Sequence, residues 1–224
     1  MGVHDGHRER MRERYRRDGA DTLAPHELLE LLLYYASPRG DMNPVAHRLI
    51  QRFGSLDGVF SAAPEELAEV EGVGESMALL ISLLPQIARR CSIQRAGADD
   101  AIDSSEKAGN YLLPYFRTER SEVVYVLCLD SKRKVLSCRL VIRGGISSAT
   151  VDARKIVEAA LRASASGVIL AHNHTSGVAL PSEADEKATR HLAAVLAAVD
   201  VALLDHIIVA DEDFISMADN GFFR

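Results

Sequence analysis

Residues 168–185 read Val168-Ile169-Leu170-Ala171-His172-Asn173-His174-Thr175-Ser176-Gly177-Val178-Ala179-Leu180-Pro181-Ser182-Glu183-Ala184-Asp185, and the remainder of the chain is best understood from this stretch. Val168 to Ala171 is a short, wholly apolar run, the pattern of a strand buried on both faces. It ends in two histidines at i and i+2, which extended chain points to one side because side chains alternate with period two. Gly177 and Pro181 bend the chain that follows, and Ser182-x-x-Asp185 has the form of a capping box at a helix start. A loop that folds back carries the Asp185 carboxylate toward the imidazoles of His172 and His174. Two imidazoles and a carboxylate make three protein ligands and leave a fourth tetrahedral position for water, the composition of a catalytic zinc site rather than a structural one. Singly, each part has an ordinary explanation. Loop histidines are more often hydrogen-bonded than metallated, and a capping box needs no metal. The combination at a strand end favours the metal, with Zn2+ as the expected cofactor.

Outward from this motif, the chain alternates between helical and extended patterns. A helix around Glu106–Phe116 leads into Val123–Leu129, an apolar run rich in β-branched residues. Asp130-Ser131-Lys132 supplies a turn into a second strand over Lys134–Arg143. A helix about Asp152–Ser164 precedes the motif. Beyond it come a helix from Ser182 to Val199 and strands near Ala202–Ala210 and Phe214–Met217. This order predicts a mixed α/β (α+β) domain over residues 106–224. Ala96 to Ser105 is small, polar and acidic, the composition of a linker.

The segment 1–95 reads as a helical domain. Residues 4–18 alternate Arg and Glu, which favours a solvated helix held by neighbouring ion pairs over a nucleic-acid arm. Pro25 opens an apolar helix, His26 to Ala36, with Leu28, Leu29, Leu31, Leu32 and Leu33 as its body. Pro38 to Asp41 is a turn, and Asn43-Pro44 starts a further helix ending near Gly54. Pro64–Val70 and Glu75–Arg90 read as two helices joined through Gly72-Val73-Gly74, a helix–hairpin–helix over 64–91. Such hairpins can present backbone amides to a phosphate. Here Glu69, Glu71 and Glu75 flank the turn, and Ser76 stands where a lysine is usual. DNA is therefore a weakly supported partner, and a structural or protein-contacting role is the better expectation.

Composition sets wider bounds. The 224 residues carry a net charge of −6, which gives no global attraction for nucleic acid. With 47% hydrophobic and 26% charged residues, the chain has the make-up of a globular protein, and no tryptophan means an aliphatic core. Cys91, Cys128 and Cys138 share no C-x-x-C spacing, and the latter two sit in strand-like runs where a buried thiol is expected. No run approaches the roughly 18 apolar residues of a membrane span, and the polar start has no secretory h-region. A cytoplasmic protein without membrane contact is the expectation.

At the motif itself the sequence becomes recognisable. His172-x-His174-x7-Ser182-x-x-Asp185 resembles the JAMM motif of the JAB/MPN metalloprotease fold. The flanking text, Val168 to Gly177 and Leu204-Asp-His-Ile-Ile-Val-Ala-Asp211, resembles the bacterial RadC family, named as DNA repair proteins. The leucine helix at Glu27–Tyr35, Gly54-Ser55-Leu56 and the Gly72–Gly74 turn extend the resemblance nearly end to end. It implies a C-terminal three-layer JAB/MPN domain of cytidine-deaminase-like architecture and zinc-dependent hydrolysis of a peptide or isopeptide bond in a protein substrate. It further implies that Glu122 moves the water proton, with Glu158 and Glu183 as competing carboxylates, and that Ser182 hydrogen-bonds the developing oxyanion. Thr175 stands where the family commonly has proline, and Asp152-Ala153-Arg154-Lys155 where it commonly has His-Pro-Arg-Glu. His206, after Asp205 between apolar runs, is expected to be a core or supporting histidine rather than a ligand. The alternative reading is a DNA-repair accessory protein with a non-catalytic zinc domain; zinc-dependent phosphodiester hydrolysis is a further rival.

Overall fold

The computed structural model describes residues 5–37, 40–96, 101–144 and 149–223. Part of the expected 38–41 turn and the middle of the 96–105 segment lie outside the described residues. The chain divides into two compact units, residues 1–88 and 89–224.

The first unit is helical, with α1 Asp5–Asp18, α2 Pro25–Ala36, α3 Asn43–Phe53, α4 Leu56–Ser61, α5 Pro64–Ala68 and the start of α6 Glu75–Ala96. Leu29 and Leu33 on α2, Leu49 on α3, Val59 on α4, Leu67 on α5 and Ile81 on α6 are fully buried in one cluster. The arginine-rich α1 lies along this core through Met11. Its charges pair locally, Glu9 with Arg12 and Arg16, and Arg14 reaches Glu27 at 3.0 Å. Glu30, fully buried on α2, is satisfied by three donors. Tyr34 gives its hydroxyl at 2.5 Å and Asn43 its amide at 2.7 Å, while the His7 ring lies at 3.2 Å. A buried carboxylate is tolerated only with such partners, and these tie α1, α2 and α3 together.

Helices α5 and α6 are joined by a turn in which Gly72 has φ +91°, a conformation that L side chains rarely adopt. A Cβ there would also lie 2.9 Å from the Val45 side chain, so the turn packs directly on α3. Arg48 donates to the Glu71 carbonyl at 3.0 Å, and Arg52 pairs with Glu69. The short α4 has no counterpart in the sequence reading. Its six residues are too few to show a helical period, and it is set by Ser55 accepting from the Gly58 amide at 3.0 Å and by the burial of Val59.

The second unit is built on a five-stranded sheet in the order β2-β1-β3-β4-β5, with β1 Val123–Leu129, β2 Val135–Arg143, β3 Gly167–Asn173, β4 Ala202–Ala210 and β5 Asp213–Ser216. Every residue of β1 and β3 is buried, which explains their unbroken apolar runs. On one face α8 Ala149–Arg162 and α9 Glu183–Ala197 pack over Val124, Val126, Val168 and Leu170. On the other, α7 Ser105–Phe116 covers Tyr125, Leu127, Ile169 and Ile207. The result is a three-layer α/β arrangement after a helical first unit. No helix among the described residues is long and apolar enough to cross a membrane.

One connection positions the motif. β3 and β4 run parallel and are joined through α9, so the chain must leave the C-terminal end of β3 and start α9 near it. β1 runs antiparallel to β3, with Val124 opposite His172. The start of β1, the end of β3 and the first turn of α9 therefore share one edge of the sheet.

Candidate metal centre

His172 is the sixth residue of β3, and its ring is 2% exposed. His174 follows just past the strand. Its backbone N–H donates to the Val209 carbonyl at 2.8 Å, which extends the β3–β4 pairing by one step and keeps the two histidines on the same side. Gly177, at φ +76°, turns the loop back. Ser182 is the N-cap of α9: its hydroxyl accepts from the Asp185 amide at 3.2 Å and donates to Asp185 Oδ2 at 2.6 Å, while its own amide donates to the same oxygen at 2.8 Å. The capping box expected from the sequence is formed, and it fixes the carboxylate of Asp185.

The three donor atoms converge. His172 Nε2 lies 2.9 Å from His174 Nε2 and 3.2 Å from Asp185 Oδ1, and His174 Nε2 lies 3.4 Å from Asp185 Oδ2. Zinc bonds of about 2.0–2.1 Å in tetrahedral array set neighbouring ligand atoms roughly 3.3 Å apart. The observed spacings fall around that value, and the donor set is two imidazoles and a carboxylate, so the residues fit a zinc ion. Burial acts to raise the Asp185 carboxyl. The His172 ring, 3.2 Å away, and the hydrogen bonds from Ser182 outweigh it and hold the group well below the usual carboxylate range. This favours the anionic form of Asp185, the form a metal ligand needs. His174 Nδ1 lies 3.2 Å from the Val178 carbonyl, which can only accept. That nitrogen carries the proton, and Nε2 presents its lone pair to the site.

Comparison with known proteins gives the family. The RadC-like JAB domain family matches residues 102–222, and the UPF0758 N-terminal family matches residues 6–79. The chain belongs to the RadC-like JAB family. It is 34% identical to a UPF0758 protein of Vibrio parahaemolyticus over 94% of both chains. It is 38% identical to a UPF0758 protein of Methylibium petroleiphilum, over 95% of this chain and 96% of that one. A third such relative, from Idiomarina loihiensis, is 35% identical over 95% of each. The second unit is accordingly a JAB domain, a metalloprotease-like fold, with a His-His-Asp group able to hold a metal ion.

Within this RadC-like domain the other carboxylates named from the sequence part company. Glu158 faces solvent in an ion pair with Arg162 at 2.6 Å, and Glu183 is almost wholly exposed beside Lys187. Glu122 is half-buried and immediately precedes β1. Continuing the alternation of Val124 and Val126 places it on the face of the sheet that carries His172. Asn173 brackets it: the side-chain amide donates to the Ser121 carbonyl at 3.2 Å, and its oxygen accepts from the Val123 amide at 2.8 Å. Sequence reading passed over Asn173 as a spacer between two histidines. The signal was its period-two position, which turns it to the opposite face and toward the neighbouring strand.

Two more residues join the site: His206, expected from the sequence as a core or supporting histidine, and Thr189, which the sequence did not single out. His206 on β4 is fully buried, with its Nε2 2.8 Å from His172 Nδ1. Complete burial, followed by the neighbouring His172 ring, pushes this imidazole well below its ordinary value and keeps it neutral. Thr189 on α9, also fully buried, lies 2.6 Å from His206 Nδ1. The thiols take no part. Cys128 is buried beneath α8 with its thiol raised by burial, and burial pushes Cys138 up to about 12.

Proposed function

We propose that this chain is a zinc-dependent hydrolase of the JAMM type that cleaves a peptide or isopeptide bond. The observation that carries this reading is the convergence of His172 Nε2, His174 Nε2 and an Asp185 oxygen at the open end of a buried strand. Bound by these three residues, zinc would supply Lewis acidity to the scissile carbonyl and lower the pKa of water to roughly 7. The rest falls to the chain. Glu122 accepts the proton of the attacking water and returns it to the leaving amine. Ser182 is assigned to the developing oxyanion, in competition with its 2.6 Å bond to Asp185 Oδ2, so its first duty is to orient that ligand.

The loop above the site favours a peptide over a phosphodiester. Residues 173–182 contain no Lys or Arg to meet a phosphate, whereas Val178 and Leu180 are 51% and 60% exposed and offer apolar contact to a side chain. His174 is the more open ligand, at 16% exposure against 2% for His172, so substrate would enter from its side.

The test is elemental analysis of the full chain after zinc loading, beside His174→Ala, followed by assay on linear peptides and ε-lysine-linked isopeptides. Close to one zinc per chain is expected, lost in His174→Ala. Cleavage should stop with a chelator and fall about 10²–10⁴-fold in Glu122→Gln. A wild-type chain that takes up no metal removes the hydrolase reading.

A further inference from the structure

We infer that His206 and Thr189 are positioning residues that fix the tautomer of His172, holding its Nε2 as a bare acceptor. The inference deepens the reading of His172 as a metal ligand and rests on it.

The argument follows hydrogens through a dry, closed chain of contacts. Thr189 Oγ1 lies 2.6 Å from the Asp185 carbonyl and 2.6 Å from His206 Nδ1, and His206 Nε2 lies 2.8 Å from His172 Nδ1. Thr189 and His206 are 0% exposed and His172 is 2% exposed, so bulk water is excluded from these contacts. A carbonyl only accepts, and a hydroxyl has one hydrogen. At 2.6 Å the Thr189 hydrogen must point at the Asp185 carbonyl, since two bare oxygens would repel at that distance. The contact of Thr189 with the Met217 sulfur, at 3.6 Å, is long and to a weak acceptor, and does not compete.

The remaining directions follow without choice. Thr189 presents a lone pair to His206 Nδ1, so that nitrogen carries the ring's hydrogen. A neutral imidazole has one N–H, which leaves His206 Nε2 as an acceptor. His172 Nδ1 must then be the donor across 2.8 Å, and His172 Nε2 is left bare. His174 reaches the same state independently, through its Nδ1 donation to the Val178 carbonyl. Two nitrogen lone pairs therefore face each other at 2.9 Å beside a carboxylate. Only acceptors converge there, and a cation is what such a cluster suits. No group in the relay gains or loses a proton overall; the relay only decides which ring nitrogen carries it.

The relay also closes on itself. Thr189 is one helical turn beyond Asp185 on α9, and it bonds the main chain of the third ligand while its other side orients the first. The position of α9 against β3 and β4 is thus read out in the state of His172. A hydrogen-bonded partner on the far nitrogen of a ligating histidine commonly contributes 10–100-fold in metal affinity.

The experiment uses the full chain, with zinc affinity measured by chelator competition and ring tautomers by 15N-histidine NMR of the metal-free protein at mildly alkaline pH. Wild type should show the hydrogen on Nδ1 of both His172 and His206. Thr189→Val, which keeps the shape and removes the hydroxyl, should weaken zinc binding about 10–100-fold and lose that tautomer, and Thr189→Ser should restore both. Zinc affinity in Thr189→Val within about twofold of wild type, with binding abolished in His172→Ala, overturns the relay and leaves the metal site standing. Binding unaffected by His172→Ala overturns the site itself. Hydrogen on Nε2 of His206 in the wild type overturns the relay even where no variant folds.

Discussion

At the scale of single residues, Asp205 is the informative case beside the metal centre. Its carboxylate is 6% exposed and accepts from the Ser216 hydroxyl at 2.6 Å, the Ala218 amide at 3.0 Å and the His206 amide at 2.7 Å. Burial raises this group, and the three donors only partly offset it. A raised folded-state value means that the folded chain holds the proton more tightly than the unfolded one. The stability it contributes is full below the unfolded value of about 3.9 and is lost as pH rises through the folded value. Asp205→Asn keeps the shape and cannot ionise. The melting temperature of the variant should therefore rise relative to wild type as pH climbs from about 4 toward neutrality. Thermal melts of both proteins across that range check this, and a constant difference would show that the folded and unfolded values coincide. The Asp185 carboxylate on α9 behaves oppositely because the His172 imidazole and the Ser182 hydroxyl face it.

At the scale of elements, the N-terminus of α9 carries two tasks in one turn. Ser182 caps the helix and orients the Asp185 carboxylate, so a loss there is felt both in helix stability and at the site. Ser182→Ala should cost about 1 kcal/mol, within the usual range for a lost cap, and Ser182→Thr should recover most of it. Urea denaturation gives the difference directly; equal midpoints for wild type and Ser182→Ala would mean that the cap carries no weight. The turn between α5 and α6 shows the same economy in reverse. Its glycine permits close packing on α3, and the arginines of α3 are taken up by Glu69 and the Glu71 carbonyl.

At the scale of the whole molecule, charge sets what the chain can attract. A net charge of −6, with Glu69, Glu71 and Glu75 around the G-x-G turn, works against the gathering of a polyanion by the chain's global charge. A gel shift with non-specific duplex DNA at low and at roughly physiological salt should show no retention at the higher concentration. Tight binding that falls steeply with salt would contradict this and would favour a DNA-directed role for the first unit.

Much of this was written in the sequence because it depends on local pattern. The unbroken apolar run at Val168–Ala171, the i, i+2 histidines and the Ser182-x-x-Asp185 cap each follow from a period or a side-chain reach of a few residues. Those features determined the strand, the helix start and the donor set of the candidate site. What no local pattern could decide is which residues from distant segments stand behind the ligands. His206 lies 34 residues from His172 and Asn173 lies 50 from Val123, and strand pairing alone makes each of them a neighbour. Thr189 reads as one more polar residue on a helix until its burial excludes water and sets its hydroxyl between the Asp185 carbonyl and His206. Chemical identity travels with the sequence; the direction of a shared hydrogen is fixed only when packing has chosen the partner and excluded the solvent.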